Sequence, residues 1–229
     1  MLNRTQSSAS NALDLRRAIA TQLREALQEL PATPFDWSTF DPAMALSTAD
    51  LRVAALTKLL CTAPARSPEL RALWNECVVT AAFALRLAPM LNADPNNCAV
   101  AALLHRLGDL LTLRAIGTLE FAARVRLDAG SRADLCAEHG GVLLERTARA
   151  WGVPARAVAT AAEWRQLREF PPAASEATVL YLARLFAIER LSPQFCAIGM
   201  IEHACEEVGV DVGVLEALRQ DATIGLAVV

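Results

Sequence analysis

Three histidines (His105, His139 and His203) and six cysteines are the side chains of this sequence best suited to metal or nucleophile chemistry. His105 closes the apolar run Ala99–Leu104 and is followed by Arg106, Leu107, Gly108 and Asp109. Adjacent residues at a helix C-terminus can both project toward one pocket, and a glycine just beyond lets the chain turn sharply. Imidazole is a metal ligand, but the neighbouring guanidinium offers five donors and no acceptor, and its charge opposes a nearby cation. His105 therefore reads as a hydrogen-bonded structural histidine. His139, in Glu138-His139-Gly140-Gly141, reads as a cap or helix bridge in a tightly packed place, and His203 as part of a solvated helix face. The cysteines (Cys61, Cys77, Cys98, Cys136, Cys196 and Cys205) form no Cys-x-x-Cys pair and sit mostly in Ala/Leu runs. They read as buried free thiols of a cytoplasmic protein. A zinc site from Cys136, His139, His203 and Cys205 would need irregular ligand spacing. Gly-rich phosphate loops and a Gly-x-Ser-x-Gly elbow are absent from the sequence.

The elements that must position these residues are helices. Of 229 residues, 54% are hydrophobic and only 5% aromatic, and Ala and Leu together fill 80 positions. That excludes a disordered chain and disfavours an all-β one, while Ala and Leu are strong helix formers. The predicted fold class is therefore all-α. A net charge of −3 gives no electrostatic footprint for nucleic acid. The longest apolar run, Cys98–Leu104, is far short of a membrane span, and the N-terminus has no secretory h-region.

Helices are expected near 12–30, 47–62, 69–87, 95–107 (with Asp94 as N-cap and Pro95 at the first position), 118–129, 132–151, 154–168, 176–188, 193–208 and 211–219, with a short helix to about 114. Pro31–Pro42 reads as a loop pinned by Phe35, Trp37 and Phe40. Trp74, Trp151 and Trp164 read as core anchors. Arg114, Arg124, Arg126 and Arg132 read as a solvated face, and Glu145, Arg146 and Arg149 as helix-surface pairs.

The segment Ala99–Leu110 resembles the core motif of the HD superfamily, in which a His-Asp pair ends a buried helix and holds divalent metal. Further along, Leu73-Trp74-x-x-Cys77, His105-x-x-Gly108, Glu138-His139-Gly140-Gly141 and Trp151-Gly152-Val153-Pro154 together resemble the HDOD family, the HD-related output domain of bacterial signalling proteins. The resemblance covers roughly residues 40–195. It implies a compact multi-helix domain, here residues 41–229, preceded by an N-terminal helix and Pro-rich loop over residues 1–40. It also implies action through protein contacts.

Carried over by position, the resemblance puts Glu76 and Glu163 where metal-binding HD proteins have histidines. Arg106 and Arg184 fall where they have acids, and His105 is kept. The Gly-Tyr-Pro signature of the cyclic-dinucleotide phosphodiesterase branch is missing. These five residues define a degenerate site: a buried ion cluster in place of metals, or an anion pocket for a phosphate-bearing signal.

The expected function is a non-catalytic signalling or regulatory module without catalytic residues, metal or cofactor. Its expected partner is a protein of a signalling pathway or a second copy of the chain. Trp37 and Phe40 are the candidate contacts. The alternative is a diverged HD-type phosphohydrolase or a nucleotide-binding remnant.

Overall fold

Twenty residues from Pro68 to Leu87 form α1, the first long helix among the described residues. Pro68 at its start loses nothing, because the first backbone amides of a helix have no internal partner. Its Leu70, Leu73, Trp74, Cys77, Val78, Ala81 and Phe83 are buried. A 3₁₀ turn at Ala88–Leu91 ends on Asn92 in the left-handed region.

The computed structural model describes residues 68–166, 175–195 and 199–220, with residues 14, 17–19 and 21 from the N-terminal part. The expected helix at 47–62, the Pro31–Pro42 loop with Trp37 and Phe40, and the boundary at residue 40 lie outside these residues.

Helix α2, Pro95–Leu104, begins as expected: the Asp94 carboxylate accepts from the Asn96 and Asn97 amides at 2.9 and 3.3 Å. Every residue from Asn97 to Leu104 is buried. A helix apolar on all sides belongs at the centre of a fold, and α2 packs against α1 and the later α5 and α6. The chain breaks at His105 and Arg106, one turn earlier than Gly108, and helix α3 runs from Leu107 to Ala123.

One helix thus replaces the two pieces expected around Gly117, because Thr112, Ile116 and Glu120 keep a buried stripe through it. Arg124 closes α3 in the left-handed region, its amide bonding the Glu120 carbonyl. Asp128 then caps helix α4, Ala129–Ala150, through the Ser131 amide. Gly130, which falls between the helices expected at 118–129 and 132–151, lies inside that first turn.

Gly152, at φ +69°, turns the chain into α5, Ala155–Gln166. Helix α6, Glu176–Leu191, opens with a reciprocal Ser175–Thr178 cap. The helix expected from residue 193 is instead a 3₁₀ turn, Pro193–Phe195, and a separate helix α7, Met200–Glu207, begun by Gly199 at φ +80°. Helix α8 is Val212–Gln220. Arg219 ties α8 to α6 and α7, reaching Glu189 at 2.6 Å and Glu202 at 2.7 Å.

The described residues thus form eight α-helices and no strands. The main core lies among α1, α2, α5 and α6, with Phe83 and Phe186 stacked at 5.2 Å. A smaller cluster of Ile116, Leu127, Leu135 and Leu143 sits between α3 and α4, joined by the buried Ile19. No helix among the described residues is long and apolar enough to cross a membrane.

Candidate functional site

Glu76, on the inner face of α1, is the hub of a polar cluster at the α2–α3 joint. Its Oε1 accepts from Arg184 Nε of α6 at 2.7 Å and lies 3.7 Å from Arg106 Nη1 and 3.9 Å from His105 Nε2. Arg106 makes its closer pair, Nε to Oδ2 at 2.6 Å, with Asp109 one turn along α3. Asp109 is further held by Arg165 of α5, whose Nη2 stands 2.7 Å from Oδ1 and also donates to the Cys136 carbonyl of α4. Three guanidiniums and two carboxylates therefore alternate through the middle of the domain.

His105 is fully buried. Its Nδ1 lies 2.6 Å from the Ala102 carbonyl and donates to it, which leaves Nε2 as the bare ring nitrogen. Trp164 meets the imidazole edge-on at 4.6 Å and presents its ring to the Arg184 guanidinium at 5.3 Å. Burial pushes the His105 pKa down, and the nearby Glu76 offsets this only in part, so the ring is neutral at neutral pH. For Glu76, burial works against ionisation, but the charges of Arg184 and Arg106 beside it hold the carboxyl down at about 2.

Close backbone approach makes room for this arrangement. A methyl group on Gly108 would fall on the Gly140 carbonyl, and one on Gly140 would meet the Arg165 guanidinium and Asp109 Oδ1. The role of Gly108 is thus to let α3 touch α4, not to turn the chain. The nearby Cys136 thiol is pushed up to about 12, chiefly by burial, and is no nucleophile.

Four of the five residues expected at the degenerate site come together: Glu76, His105, Arg106 and Arg184. Glu163 does not. It is exposed, and the second carboxylate is Asp109. Residues two apart on a helix point about 200° apart, so Arg165 faces the cluster when Glu163 faces solvent. The spacing of Arg106 and Asp109, three apart at a helix start, was the signal that could have identified Asp109.

Arg132, expected on a solvated face, instead bridges Glu69 and Glu120 at 2.5 Å each. His203 is exposed and Trp74 and Trp151 are buried, as expected. His139 Nε2 lies 3.6 Å from Glu138.

Divalent metal, which the HD resemblance brings into question, does not fit these residues. Both carboxylates are committed to guanidiniums, and Arg106 puts a positive charge between them and His105. Among the described residues no group of three or more His, Cys, Asp or Glu side chains is arranged to hold a metal ion, including the set of Cys136, His139, His203 and Cys205.

All-helical packing around a buried helix ending in His105 defines an HD-like domain. The family model of the HDOD domain matches residues 51–166, and the chain belongs to that family. Its fold is similar to the crystal structure of a protein described as "Putative phosphohydrolase" from Shewanella amazonensis SB2B, with a TM-score of 0.54 and 19% sequence identity over 82% of this chain and 74% of that one. No curated protein matches the sequence.

Proposed function

We propose that this HDOD domain is a non-enzymatic regulatory module that acts through protein contacts. The observation that supports this best is the ion cluster of Glu76, Arg184, Arg106, Asp109 and Arg165. Hydrolysis of a phosphate ester needs a nucleophile activated by a metal or a positioned base. At this centre the carboxylates are neutralised by arginines and the imidazole is sealed behind Trp164. Specificity then falls to the surface. Phe121 and Phe195, each 76% exposed, are aromatic anchors of the kind protein interfaces use. From the sequence, Trp37 and Phe40 belong with them.

The test is a turnover assay of the full chain with cyclic dinucleotides and nucleotides in Mn, Fe or Mg, beside light scattering of the full chain and of a chain lacking residues 1–40. The reading expects no turnover and a protein-bound or self-associated state that depends on residues 1–40. Metal-dependent turnover would replace it with the phosphohydrolase reading. Unchanged association after the deletion would remove Trp37 and Phe40 from it.

A further inference from the structure

We propose that the pocket between α3, α4, α5 and α6 binds the phosphate group of a nucleotide-sized small molecule on the guanidiniums of Arg106, Arg165 and Arg184. All three line one cavity of about 480 Å³, together with Trp164 and Tyr181. That volume lies in the range of small-molecule sites. The cluster is unbalanced: three guanidiniums face two carboxylates, and the neutral His105 adds no charge. One positive charge is left over, in a half-buried place where water screens it less than on an open surface.

The donors are also unspent. Arg184 commits Nε to Glu76, and among the described residues its two terminal nitrogens have no acceptor. Arg165 commits Nη2 to Asp109 and the Cys136 carbonyl, leaving Nε and Nη1. Arg106 faces Asp109 through Nε and keeps Nη2. A planar guanidinium with two free N–H groups matches the oxygens of a phosphate in a two-point contact.

The side chains are already held in place. Glu76 and the Trp164 ring fix Arg184, Asp109 and a backbone carbonyl fix Arg165, and Asp109 fixes Arg106. An anion arriving there therefore orders little, which removes a main cost of binding. A second cavity of about 440 Å³ shares Arg106, Ala133 and Cys136 with the first and adds Arg126 and Arg132. Glu69, paired with Arg132, lines it too, and through the shared residues it adjoins the first cavity, so the rest of a nucleotide-sized ligand would lie there.

This inference is independent of the protein-contact reading. The turnover and association measurements can fail while the pocket still binds, and the reverse holds as well. The probes are the four nucleoside 5′-monophosphates, the parent nucleosides, ribose 5-phosphate and inorganic phosphate, added to the full chain and followed by calorimetry and thermal melting.

At least one monophosphate is expected to bind and to raise the melting temperature by about 5 °C or more at a hundredfold excess over its Kd. Its nucleoside should not bind, and sulfate should compete. Arg184→Lys keeps a charge beside Glu76 but loses the fork, so it should weaken binding about tenfold or more, whereas Arg146→Ala should not.

Binding of inorganic phosphate as tight as that of every monophosphate would overturn the nucleotide-sized ligand. The site itself is overturned if none of the phosphates binds, or if binding is indifferent to sulfate. The sulfate competition uses the unmodified chain and holds even if Arg184→Lys fails to fold.

Discussion

Glu76 is where burial and charge compete most directly. Its carboxyl is held at about 2 against an ordinary 4.5. The unfolded chain therefore takes up this proton first, and the stabilisation is complete above pH 4.5 and lost as pH falls toward 2. That difference is worth about 3 kcal/mol. His105 acts in the same direction higher up the scale. Its depressed pKa means that stability begins to fall once pH drops below the ordinary histidine value of 6.5.

Urea titrations from pH 8 to pH 2 should show both declines. Glu76→Gln should cost about 3–5 kcal/mol at pH 7, because it strands the Arg184 charge. The gap to the wild type should then narrow between pH 4.5 and 2, and a constant gap would contradict the assignment. Arg106→Ala removes one of the two guanidiniums that hold the buried Asp109, and one of two beside Glu76, and should cost about 1–3 kcal/mol. The exposed Arg146→Ala should stay within about 0.5 kcal/mol in the same melts. Equal melting of the two variants would contradict a structural role for Arg106.

At the scale of elements, the sequence was most legible where one local rule decided the outcome. Asp94-Pro95 set the start of α2, and the all-apolar stretch after it set the burial. Gly152 set the turn into α5. It was least legible where tertiary packing decided. The expected helices stop near 114 and restart at 118, but the glycine between them, Gly117, has open space around it and costs only about 1 kcal/mol in a helix, and the buried stripe of Thr112, Ile116 and Glu120 outweighs that. Gly108 looked like a turn residue, but its need comes from Gly140, 32 positions later, whose carbonyl no local pattern reveals.

The site divides in the same way. His105, Arg106, Glu76 and Arg184 follow from motif positions. Asp109 and Arg165 enter through helix phase and inter-helix contact. The two glycines make a paired prediction. Gly108→Ala must push α3 off α4 and should cost about 3 kcal/mol or more. Gly117→Ala meets nothing and should add about 0.5–1 kcal/mol. Chemical denaturation of both variants checks it, and the reverse order would mean that the α3–α4 contact is wrong.

For the whole molecule, six helices converge on one polar centre: α1 brings Glu76, the α2–α3 joint His105 and Arg106, α3 Asp109, α4 the Cys136 carbonyl, α5 Trp164 and Arg165, and α6 Arg184. The HD resemblance implies a metal centre at the same place, and the choice between it and an ion cluster rests on a few side chains. Restoring an acid with Arg106→Asp alone leaves Arg165 and Arg184 in position and should create no phosphodiesterase activity in a Mn-dependent assay.

Three arginines stand at the heart of this domain, where the HD resemblance implies metal. Elemental analysis of the full chain, purified from cells grown with added Fe, Mn and Zn, tests this most directly. Well below stoichiometric transition metal is expected, and about one or more ions per chain retained through gel filtration would contradict an arginine cluster in place of metal.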